Sequence, residues 1–130
     1  MMITAVLNYL RSDNELVGML GHTQGKPRIT AYKPEVDLDD YPYIVVTLTP
    51  YQMGLATDQY RCEVRIVTDD ALKVEKLTKY VTRLLHFRTN PVNNFNNETI
   101  YHSRHSGSGF LFDPEEEIFE QALFFIMKFK

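Results

Sequence analysis

Residues 60–85, YRCEVRIVTDDALKVEKLTKYVTRLL, carry two periodicities in succession. Over the first nine residues Cys62, Val64 and Ile66 alternate with Arg61, Glu63 and Arg65. Successive strand side chains point to opposite faces, so the alternation predicts a strand with one covered face and one wet face. From Asp69 the period changes. Leu77, Val81, Leu84 and Leu85 recur at helical spacing, flanked by Val74 and Tyr80. Asp69 or Asp70 can cap the start, where an acidic side chain also suits the positive end of the helix dipole. Glu75 and Lys79 stand at the spacing of a helical surface ion pair. Pro91 and the asparagines of RTNPVNNFNN cannot continue the helix.

The flanking segments extend this unit. PYIVVTLTP, residues 42–50, is β-branched and bounded by prolines, which predicts a second strand. Upstream, residues 21–42 read as connection, with at most a short strand around Arg28 to Tyr32. Ile3, Val6, Leu7 and Leu10, then Leu16, Val17 and Leu20, predict one kinked helix or two short ones over residues 2–20. Ser12 or Asp13 is the N-cap candidate between the two halves, and Gly21 the stop. Downstream, ETIYHSRH and EIFEQALFFIMKFK read as strands, the latter with Phe119, Leu123, Phe125, Met127 and Phe129 on one face. The order is α-β-β-α-β-β in a single domain over residues 1–130. It implies an α+β fold with helices on an antiparallel sheet, mixed if the early strand joins, of about four to five strands.

Composition narrows the function classes. The chain has 130 residues, 44% hydrophobic and 24% charged, which fits a soluble globular domain. Seventeen acidic against 14 basic side chains give a formal charge of -3, against the basic balance that phosphate contacts require. Cys62 is the single cysteine, so no internal disulfide forms and a reducing compartment fits. No apolar run reaches membrane-spanning length, and MMITAVLNYL lacks the basic start of a signal peptide.

YHSRHSGSGF, residues 101–110, has the residue types of a nucleophile or phosphate loop. A catalytic serine needs a base in reach and a carboxylate behind it. His102 and His105 are three apart on an expected strand and so face opposite ways. There is no nucleophile elbow and no Gly-Lys-Ser/Thr end. SRHSGSGFLFDPEE therefore reads as a strand-connecting loop, with Gly107 and Gly109 giving backbone freedom and DPEE closing it. Asp37, Asp39 and Asp40 could hold a cation, yet they lack the glycine and distal glutamate of a calcium loop and read as a solvated turn. His22 stands alone, His86 suits a helix C-terminus, and Cys62 reads as core. No catalytic, cofactor or metal set emerges. Residues 50–59, 89–97 and 103–117 are instead long connections of the kind that bind partners.

NELVGML, DDYPYIVVTL, YRCEVRIVTDD running into ALKVEKLTKYVTRLL, and the closing EIFEQALFFIMKF together resemble the tail completion, or tail terminator, proteins of tailed bacteriophages. The resemblance implies a non-enzymatic virion protein without cofactors. It would assemble with itself as a ring, typically a hexamer, at the head-proximal end of the tail. The ring would stop growth of the tail tube protein and join the tube to the head connector or head-closure protein. DNA would pass through the lumen without specific binding, and no membrane would be involved. The expected location is the neck of the virion, reached from the host cytoplasm during assembly. Under that reading Tyr51, Gln52, Met53, Gly54 and Leu55 are the expected interaction segment, with Met53 and Leu55 as apolar anchors. Asp37, Asp39 and Asp40 are expected to line the lumen and repel DNA. Competing readings are another neck protein such as a head-closure protein, a small His/Asp-dependent hydrolase, and an adaptor for a host protein.

Overall fold

The structure, a computed structural model, describes residues 2–23, 27–33, 41–53, 58–86, 94–95 and 98–129. The N-terminal segment forms two helices, α1 (Met2–Arg11) and α2 (Asn14–Leu20). Asp13 is the N-cap of α2, accepting from the Leu16 N–H at 3.0 Å. Gly21 ends α2 with φ 69, a left-handed conformation that costs glycine nothing.

Among the described residues six strands follow, interrupted by one helix: β1 (Ile29–Ala31), β2 (Tyr43–Met53), β3 (Asp58–Thr68), α3 (Ala71–Leu85), β4 (Asn94–Phe95), β5 (Glu98–Asp113) and β6 (Ile118–Phe129). They line up as β1-β2-β3-β6-β5-β4. Among the described strands only β1 runs parallel to its neighbour, pairing Ile29–Ala31 with Ile44–Val46, so the sheet is mixed and the α+β expectation holds. In the antiparallel centre Val64 stands opposite Val46 on one side and Leu123 on the other.

One face of that centre is the core. Ile44, Val46, Cys62, Val64, Ile66, Leu123, Phe125 and Met127 are buried there against Ile3, Val6, Leu10 and Leu16 of the N-terminal helices and Leu77, Val81 and Leu85 of α3. Burying each large apolar side chain contributes about 1.5–3 kcal/mol relative to exposure. The α3 stripe is Val74, Leu77, Val81 and Leu85, with Leu84 only partly buried. Asp70 caps the helix through the Leu72 N–H at 2.9 Å, and Lys79 pairs with Glu75 at 3.0 Å. α1 packs against β1 and β2 at one edge of the sheet and β4 and β5 at the other. The Tyr9 hydroxyl ties α1 to α3 by donating to the Leu84 carbonyl at 2.9 Å.

Two expected connections are strands instead. β2 continues through Tyr51, Gln52 and Met53, and β3 begins at Asp58, so only residues 54–57 separate them. A register shift between Pro50 and Gln52 accommodates the proline, which has no N–H to give the ladder. The stretch expected as a loop over 103–117 is β5 up to Asp113, and only residues 114–117 turn. There is no left-handed backbone at Gly107 or Gly109; both lie within the ladder, opposite Phe124 and Ala122. Pairing along the whole of β6 overrides the weak strand propensity of Ser-Gly-Ser-Gly. The extra residue is absorbed at Ser106, between the His105–Phe125 and Gly107–Phe124 pairs, and its Oγ donates to the Phe124 carbonyl at 3.2 Å.

Candidate functional site

The turn of the β5–β6 hairpin is built locally. Asp113 Oδ1 accepts from the N–H groups of Glu115 at 3.0 Å and Glu116 at 3.3 Å, and Glu117 takes φ 57 to re-enter β6. Just before this turn β5 carries three consecutive large apolar residues. Phe110 is 54% exposed, Leu111 65% and Phe112 45%. Alternation sends Phe110 and Phe112 to one face and Leu111 to the other, so neither face is covered here. Phe119 stands opposite Phe112 and holds both rings, at centroid distances of 4.7 Å to Phe112 and 6.0 Å to Phe110.

On the face away from the helices Leu111 adjoins a cleft of about 530 Å³, also lined by Tyr41, Tyr43, Val67 and Ile118 and bordered at the sheet end by Phe112. The Tyr41 and Tyr43 rings stack at 5.9 Å, and Tyr43, Val45 and Val67 form a second, small buried cluster. Farther along this face Arg61 lies 4.2 Å from the Phe124 ring centroid, a cation–π contact, and Glu63 pairs with Arg65 at 3.4 Å. The outer edge of β5 pairs with β4 only at Glu98 and Thr99; from Ile100 to Asp113 it has no strand neighbour among the described residues. A long open edge next to exposed apolar side chains is a surface natural proteins keep for assembly or cover.

Among the described side chains of YHSRHSGSGF, no serine hydroxyl is hydrogen-bonded to a histidine. Ser103 is fully buried, opposite Met127, with no partner for its Oγ among the described residues. His105 packs against Phe125 at 5.5 Å, and its Nε2 is likewise buried without a partner among them. The His105 backbone N–H donates to Nδ1 of His86 at 3.1 Å, which uses the unprotonated nitrogen of that ring. His86 is the C-cap of α3, the helix C-terminus its place in the sequence implies.

His22 is similarly structural. Its Nδ1 accepts from the N–H groups of Arg28 at 2.9 Å and Ile29 at 3.3 Å. Burial, then the Arg11 charge, hold its pKa below the ordinary value. Arg11 donates to the Ile29 carbonyl, and the buried Arg28 donates through Nη1 to the Pro42 carbonyl at 3.1 Å. Cys62 is fully buried, and burial pushes its thiol pKa up, so it is core and not a nucleophile. No group of three or more His, Cys, Asp or Glu that could hold a metal occurs among the described residues. No helix among them is long and apolar enough to cross a membrane.

Of the residues singled out in the sequence, Tyr51, Gln52 and Met53 end β2, while Gly54, Leu55, Asp37, Asp39 and Asp40 lie outside the described residues. The exposed Phe110–Phe112 run is not among them. Its signal is nonetheless present: FLF, then DPEE, then an alternating apolar strand is a hairpin pattern with a four-residue connection.

No protein-family model and no curated protein matches the chain. Among solved structures it is similar to a chain from the virion of a native gene transfer agent particle, with a TM-score of 0.65 at 13% sequence identity. The superposition covers 95% of this chain and 90% of that one. At that identity the likeness establishes a shared fold.

Proposed function

We propose that the protein is a structural component of a tailed, phage-like virion, and specifically a tail terminator. It forms a ring, a hexamer by the resemblance, on the head-proximal end of the tail tube. There it stops tube growth and joins the tail to the head connector. The observation that carries this reading is the fold held almost end to end in common with a chain of a gene transfer agent virion. The exposed Phe110–Phe112 run and the open edge of β5 supply surface for contacts between subunits. Its action is mechanical, by occupying the tube end, and calls for no catalytic group or cofactor.

Two segments complete the proposal. Residues 51–55, of which Tyr51, Gln52 and Met53 end β2, reach a neighbouring subunit or the tube. Asp37, Asp39 and Asp40 face the lumen, where their charge repels DNA in transit. The reading is tested by making particles without the protein. Filled heads beside separate, over-long tails are expected; joined particles with tails of normal length contradict it.

A further inference from the structure

The molecule carries two exposed patches of opposite charge, each with an apolar centre, in different places. The first is the β5–β6 turn, where Phe110 and Phe112 are followed by Asp113, Glu115, Glu116 and Glu117, all exposed. The second is a cleft of about 400 Å³ between α2 and α3. Met19 and Tyr80 supply apolar surface to that cleft, and Lys76, Lys79 and Arg83 stand around it with Glu15. Lys79 is paired with Glu75 at 3.0 Å and Asp13 accepts from Tyr80, which leaves Lys76 a cation with no ion pair of its own among the described residues. Arg83 also lies over the Tyr80 ring, 5.1 Å from its centroid.

The two patches cannot be one site on one chain. β3 runs toward the acidic turn, ending at Thr68 opposite Phe119, and α3 then starts at Ala71 and returns over the sheet. The cleft residues of α3 lie roughly 7–18 Å along the helix axis from its start, at 1.5 Å per residue. They face outward from the helical layer, whereas the turn projects at the end of the strands. A surface that meets a different surface on an identical molecule makes a heterologous contact, and such contacts generate rings when the rotation closes.

We infer that the acidic, phenylalanine-bearing β5–β6 turn of one subunit docks into the basic α2–α3 cleft of the next copy of the same chain. This rests on the ring reading and names its contact. The phenylalanine rings bury apolar area against Met19 and Tyr80. The carboxylates of Glu115 and Glu116 meet Lys76 and Lys79, which fixes orientation and makes assembly weaken with added salt.

The test is sedimentation, alone and with purified tail tubes, of the wild-type chain and three variants. One is Glu115→Lys with Glu116→Lys, another Lys76→Glu with Lys79→Glu, and the third carries all four changes. These positions are exposed, and circular dichroism checks that each variant is folded. Each two-site variant should need on the order of tenfold more protein to assemble, and the four-site variant should recover, since every ring contact again pairs opposite charges. Assembly unaffected by both reversals overturns the contact while leaving the ring reading intact. A folded four-site variant that assembles no better than either half overturns the contact in the same way. A wild-type chain that never assembles, alone or on tail tubes, overturns both.

Discussion

The Tyr80 hydroxyl donates a hydrogen bond to Asp13 Oδ1, joining the middle of α3 to the N-cap of α2. The same carboxylate oxygen accepts from the Leu16 N–H, so one side chain starts a helix and holds it against another. Burial alone would raise the Asp13 pKa, but the bonds from Tyr80 and the backbone outweigh it, and the pKa is lowered. The Tyr80 hydroxyl is correspondingly pushed up to about 12, chiefly by its bond to Asp13.

Asp13→Ala should therefore destabilise the fold by about 0.5–2 kcal/mol, the range for a lost N-cap. Tyr80→Phe should cost about 0.5–1.5 kcal/mol, the range for one hydrogen bond. The double variant should lose less than the sum, because both changes delete the same bond. Urea titration of the four species gives the coupling directly, and strict additivity would show that the bond carries no stability.

His22 sets an acid limit. Its folded pKa is depressed, so on acidification the unfolded chain takes up the proton first. Its contribution is complete above the unfolded value of about 6.5 and is lost as the pH falls through the folded value. His22→Asn keeps a side-chain acceptor for the Arg28 and Ile29 N–H groups without titrating. Unfolding midpoints measured between pH 7.5 and pH 5 should fall less steeply in the variant; equal slopes would remove His22 from the account.

Phe110→Ser and Phe112→Ser separate assembly from folding. Both rings are about half exposed and touch Phe119, so each change should cost about 0.5–1.5 kcal/mol, the range for an aromatic pair. A folded chain that no longer assembles or caps tails is the expected outcome. Normal assembly by the double variant would show that this surface is not an interface.

Changes to the two segments proposed from the sequence should have different effects. Met53→Ser with Leu55→Ser should weaken assembly. Asp37, Asp39 and Asp40 changed together to Asn should leave assembly intact and slow DNA ejection, by weakening repulsion in the lumen. Ejection followed by dye release from joined particles reads the second effect, and an unchanged rate would sink the lumen role.

The fold is legible wherever a period is sustained. The Cys62–Ile66 alternation, the α3 helix, the Asp13 and Gly21 caps and the short strand at Ile29 all stand in the structure as the sequence pattern implies, with Val74 taking the buried place expected of Leu84. β5 does not, because serine and glycine carry little strand preference of their own and are placed by pairing with β6, a long-range effect. Taking residues 103–117 for a loop then hides the exposed FLF run, since apolar residues in a loop signal nothing about a sheet edge. The proline at position 50 similarly looks like the end of β2, although a bulge lets the strand pass it. The helix-side cleft is invisible for another reason: Met19 and Tyr80 come from helices far apart in the chain.

The most direct test of the central claim is the mass of the purified protein across a wide concentration range, alone and mixed with tail tubes, with the same samples imaged by negative-stain electron microscopy. Closed rings of one discrete mass, free or capping a single end of each tube, are the expected result. A monomer at every concentration that also leaves both tube ends bare would contradict it.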